Sequence, residues 1–129
     1  MKQELEEKLF KDFPLLYDSN ADFRSSAMGF GFECSDGWYD LIRELSEKLY
    51  PLVQAITPDE YGSSCSASQV KEKYGTLRFY MHCSTDEMDE LIYEYEDRSS
   101  RTCEYCGKPG SIDHTKHWLT TTCEEHRRK

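Results

Sequence analysis

An α+β fold is predicted by three observations. Three stretches carry apolar residues at helical spacing, one central stretch alternates between apolar and polar residues, and the C-terminus holds two close-spaced Cys/His pairs. Repeats of 3.6 and 2 distinguish helix from strand, because only these keep apolar side chains on one face. The expected architecture is about three helices with a small antiparallel sheet over 1–100, followed by a metal module over 101–129.

The first helix is expected over 2–13, where Leu5, Leu9 and Phe13 recur every fourth residue and Pro14 stops the pattern. Its acidic face reads as solvated. In 14–34, Gly29 and Gly31 flank Phe30, and the alternation of Met28, Phe30 and Phe32 fits either a short strand or an aromatic-rich loop. Ser35 or Asp36 can cap the second helix, in which Trp38, Leu41, Ile42, Leu45 and Leu49 fall at helical intervals until Pro51 is expected to end it. Pro58, Gly62 and several serines make 51–67 a surface loop.

Leu77, Phe79 and Met81 alternate with Thr76, Arg78 and Tyr80, so 68–81 reads as a hairpin turning at Tyr74-Gly75. A helical turn over 68–74 ended by Gly75 is the alternative. Ser84 and Glu87 have capping-box spacing, and Met88, Leu91, Ile92 and Tyr95 carry the third helix to about Arg98.

Cys103-x2-Cys106-Gly107 and Cys123-x2-His126 make up the C-terminal module. Gly107 can adopt the positive φ of a tight knuckle that turns backbone amides toward two sulfurs. Three thiolates and one imidazole fill the four positions of a Zn²⁺ ion and leave none for water or substrate, so the expected role is structural. The knuckle, a short hairpin around 112–119 and the terminal pair resemble a cut-down treble clef.

The net charge of −9 is uneven: 85–97 carries seven acids and no base, whereas 71–84 carries three bases and one acid. A chain wrapping duplex DNA would be basic, so general duplex binding is not expected. No run approaches the ~20 apolar residues of a membrane span, and no apolar signal region opens the sequence, so a cytoplasmic chain is expected. With three Cys assigned to metal, the remaining Cys34, Cys65 and Cys83 are odd in number and read as free core thiols of a reducing compartment.

Gly37-Trp-Tyr-Asp-Leu-Ile42, Val70-Lys-Glu-Lys-Tyr-Gly-Thr-Leu-Arg-Phe-Tyr80 and Arg101-Thr-Cys-Glu-Tyr-Cys-Gly-Lys-Pro-Gly110 together resemble a family of small bacteriophage and prophage proteins. That family combines a Gly-Trp helix, a Lys-Glu-Lys-aromatic-Gly segment and a Cys-x2-Cys/Cys-x2-His element. The resemblance covers 33–126 and implies a viral accessory protein in the bacterial host cytoplasm, of the kind used for host takeover or counter-defence.

Candidate ligand-binding residues are Lys71, Lys73, Arg78 and Tyr80, where cations beside aromatics suit phosphate and base, and Trp38 at a helix start. Each has a plainer reading, the first four as a charged strand face and Trp38 as a core anchor. The partner expected is a host protein or a small phosphorylated ligand. Asp113-His114 between the ligand pairs also resembles a shortened HNH nuclease, but the interval is short and no Asn stands mid-way. His126 is committed to metal, leaving only His117 as a second histidine.

Overall fold

The structure, a computed structural model, describes residues 1–17, 27–56, 65–115 and 117–127. Helix α1 spans Gln3–Asp12, α2 Tyr39–Ala55 and α3 Asp86–Ser99; short 3-10 turns cover Ala27–Phe30 and Asp36–Trp38. Strands are β1 Phe32–Glu33, β2 Ala67–Lys73, β3 Thr76–Met81, β4 Ser111–Asp113 and β5 Thr120–Thr122. The α+β class holds, with one amendment: the main sheet, ordered β1-β2-β3, is mixed, since β1 pairs parallel to β2.

The hairpin turns at Tyr74-Gly75, whose φ values of 54° and 85° are those a two-residue type I′ connection needs. Its register places Val70, Leu77 and Phe79 on the core face. The core also contains Leu9 and Phe13 of α1, Tyr17, Phe32 and Trp38, the α2 stripe through Leu41, Ile42, Leu45, Leu49 and Val53, and Met88, Ile92 and Tyr95 of α3. Tyr17 lies edge-on to Phe32 at 4.9 Å and to Phe79 at 6.2 Å, contacts worth about 0.5–1.5 kcal/mol each beyond area burial. Ser46 Oγ donates to Ile42 O, so its one proton is used and the Tyr17 hydroxyl donates to Ser46 at 2.6 Å.

Several local expectations shift. Pro51 does not end α2, which runs on to Ala55; its ring is exposed, and Leu49 and Val53 continue the buried stripe past it. Thr85 caps α3 rather than Ser84, accepting the Met88 N–H at 3.3 Å. Met28 is buried in a 3-10 turn, Phe30 is exposed and Phe32 begins β1, so the alternation over 28–32 belongs to turn and strand together. The loop expected over 51–67 is helical as far as Ala55, and its stretch 57–64 lies outside the described residues.

Cys65 and Cys83 form a disulfide across the open end of the hairpin. This corrects the expectation of three free thiols and removes the odd-thiol argument for a reducing compartment. Cys34 is buried and unpaired, and burial pushes its thiol up to about 12. The outer edge of β3 is closed by a helix: Ser99 Oγ accepts the Leu77 N–H at 2.8 Å, and Glu96 Oε2 accepts that of Phe79 at 2.9 Å. Among the described residues no helix is long and apolar enough to cross a membrane.

Candidate metal centre and binding surface

The C-terminal ligands come from two turns that flank the β4–β5 hairpin. Gly107 has φ 80°; its N–H is donated to Cys103 O at 2.9 Å, and that of Cys103 to Lys108 O at 2.8 Å. This closes the knuckle. The second turn follows β5, where the His126 N–H reaches Cys123 O at 3.3 Å.

Cys103, Cys106, Cys123 and His126 present donor atoms that all lie within 4.8 Å of one another. The Cys106 and Cys123 sulfurs are 3.6 Å apart, and His126 Nδ1 stands 3.2 Å and 3.6 Å from the sulfurs of Cys123 and Cys103. A tetrahedron with metal–sulfur bonds of ~2.3 Å and metal–nitrogen bonds of ~2.0 Å has edges of about 3.5–3.8 Å, close to these separations, so the four could hold a metal ion. Burial pushes the Cys123 thiol up, but hydrogen bonds with His126 and the neighbouring sulfurs outweigh it and bring it down to about 6. A thiolate is the form that ligates.

The centre is built into the body. Gly37 donates its N–H to Glu104 O at 2.7 Å, the Trp38 indole N–H reaches Thr102 O at 2.9 Å, and buried Glu104 accepts the Ser35 N–H at 3.0 Å. A Cβ on Gly37 would stand 2.4 Å from both Cys103 O and Glu104 O. Only glycine allows this approach. Trp38, expected to line a pocket, is fully buried with its single donor spent, and its role is to join α2 to the knuckle. Glu104 and Gly37 were missed as docking residues. The one visible signal was the Gly-Trp pair standing just ahead of a core helix.

The other candidate residues share a face. The pairs Lys71↔Arg78, Lys73↔Thr76 and Gln69↔Tyr80 put Lys71, Lys73, Arg78 and Tyr80 on the side of the hairpin opposite Val70 and Phe79. Among the described residues none of the three cations lies within 4.0 Å of a carboxylate, and Arg78 Nε is buried with no hydrogen-bond partner. Tyr80 is exposed.

The residues of the nuclease alternative differ in their surroundings. Asp113 is buried and accepts both the Thr115 N–H and its hydroxyl, while His114 and His117 are exposed. Among the described residues only the Cys/His set groups as metal ligands. No protein-family model, curated protein or solved structure matches this chain.

Proposed function

We propose that this chain is a non-catalytic binding protein that sequesters a small phosphorylated nucleotide signal, with Zn²⁺ as a structural ion at Cys103, Cys106, Cys123 and His126. The observation that carries the reading is the gathering of Lys71, Lys73, Arg78 and Tyr80 on one hairpin face, the three cations making no ion pair within 4.0 Å among the described residues, in a chain of net charge −9. Guanidinium and ammonium groups meet phosphate, and an exposed ring stacks on a base. In keeping with the phage-like motifs, the protein would act as an accessory factor in the host cytoplasm.

A protein partner is the second reading, favoured by α3, whose Asp86, Glu87, Glu90, Glu94 and Asp97 are all exposed. Such a surface steers toward a basic partner. Protein purified from bacterial cells without chelator is expected to carry one equivalent of zinc and to release a nucleotide on heating, read by metal analysis and mass spectrometry. A retained host protein lost at high salt, with no nucleotide released, decides for the second reading. The nuclease alternative is tested with single- and double-stranded DNA and RNA in Mg²⁺ or Mn²⁺. Cleavage abolished by His114→Ala would establish it.

A further inference from the structure

A cleft of about 440 Å³ opens between the hairpin tip and the segment entering β5, lined by Glu72, Lys73, Tyr74, His117, Trp118 and Leu119. Tyr74 is 67% and Trp118 69% exposed, so neither large ring serves the core. Tyr74 also holds φ 54°, a region that bulky side chains rarely adopt. Stability alone would select Asn at the first position of this turn. An exposed aromatic held in a disfavoured backbone state points to use by a ligand.

The hairpin turn is held against the segment that enters β5. Glu72 Oε1 accepts the Gly75 N–H at 2.9 Å, Thr121 Oγ1 donates to Gly75 O, and a Cβ on Gly75 would already touch the Leu119 and Thr120 backbone at 3.5 Å. Lys73 lines the cleft with its Nζ 5.5 Å from the centre of the Tyr74 ring, and it also belongs to the cationic face of the hairpin. Glu72 is the carboxylate in the lining, and the turn amide engages it.

We propose that the cleft between Tyr74 and Trp118 receives the base of a nucleotide whose phosphate lies on Lys73, Lys71 and Arg78. The Lys71–Arg78 pair sits two residues further along the ladder, about 7 Å from Lys73, within the reach of one or two phosphates. The volume falls in the range of small-ligand pockets, and base stacking on an exposed ring needs no sequence-specific partner. The assignment rests on the phosphate-binding reading above, and the test separates the two.

The full-length zinc-loaded protein is titrated with AMP, GMP, CMP and UMP, with adenosine, with ribose 5-phosphate and with a short single-stranded RNA, followed by calorimetry and Trp fluorescence. The expected result is nucleotide binding that quenches Trp118 and weakens about ten- to hundredfold in Trp118→Ala. Tyr74→Asn should lower affinity while raising the melting temperature, a split that a purely structural role does not produce. Lys71→Ala should weaken nucleotides and leave adenosine unchanged. Equal binding of ribose 5-phosphate and nucleotides, unaffected by Trp118→Ala, overturns the base cleft and leaves the phosphate face standing. Adenosine binding as tightly as AMP, unaffected by Lys71→Ala, keeps the base cleft and overturns the phosphate assignment. RNA binding more tightly than any mononucleotide overturns the assignment to a free nucleotide. Binding of none overturns both readings.

Discussion

Gly37 sets how closely the metal knuckle can sit against the body. Because an added methyl would meet two backbone oxygens at 2.4 Å, Gly37→Ala must push the knuckle away and is expected to cost about 3 kcal/mol or more, measured by urea unfolding. Trp38→Phe keeps most of the buried ring but removes the N–H given to Thr102 O, so a loss of about 1–3 kcal/mol is expected. Glu96 gives a pH test. Burial raises its pKa, against the lowering effects of the Phe79 amide and of the Arg78 charge, so the folded state holds its proton at a higher pH than the unfolded chain. Its contribution to stability is therefore greatest below the ordinary carboxylate value and falls as pH rises through the raised one. Glu96→Gln keeps an acceptor for Phe79 and should flatten that part of the stability–pH curve. Protonation of metal ligands acts in the opposite sense in both proteins, so the difference between the two curves isolates Glu96; an unchanged slope would refute the assignment.

At the level of elements, legibility followed periodicity. The stripes of α1, α2 and α3 and the alternation of β3 each put one face in the core, and that repeat is written in Leu9 and Phe13, in Leu41 to Leu49 and in Leu77 and Phe79. The four metal donors were legible for a different reason, since both pairs are local in sequence. What was not legible depends on distant partners. Nothing near Ser99 or Glu96 announces that they close the edge of β3, and β1 is too short at two residues to show a period. Trp38 reads in the sequence as a pocket residue or a core anchor, and its burial bears out the second; its contact with Thr102 has no local signal. Pro51 reads as a terminator because it removes a hydrogen bond to the carbonyl of Glu47; here both Glu47 and Pro51 are exposed residues, and the buried stripe of Leu49 and Val53 carries the helix past them. Pro51→Ala restores that hydrogen bond and is expected to raise stability by about 1 kcal/mol or more, read as a higher melting temperature. The Cys65–Cys83 bridge, joining residues 18 apart, contributes about 3 kcal/mol in the chain-entropy picture. Replacing both with Ala should remove that amount while the metal content stays unchanged.

Across the whole molecule, the contacts between the body over 1–100 and the module over 101–129 carry a mechanical consequence. The knuckle is tied to Ser35, Gly37 and Trp38 ahead of α2, while β5 is tied to the hairpin turn through Thr121 and Gly75. A metal held by Cys103, Cys106, Cys123 and His126 would thus support two distant parts of the body at once. Because thiolate and imidazole ligands bind only when deprotonated, and the site exists only in the folded chain, metal binding free energy is also folding free energy. A loosely attached module would melt alone on chelation and leave the body intact. The docked arrangement instead predicts one cooperative transition at a lower temperature, in which the near-ultraviolet signal of buried Trp38 is lost together with the helical signal. Hydrogen exchange should rise at the amides of Gly37, Trp38 and Gly75 as well as in 101–127. Chelation that speeds exchange only within 101–127, leaving the Trp38 signal and the body's melting temperature unchanged, would establish two separable units. It would also reduce the metal to a local staple.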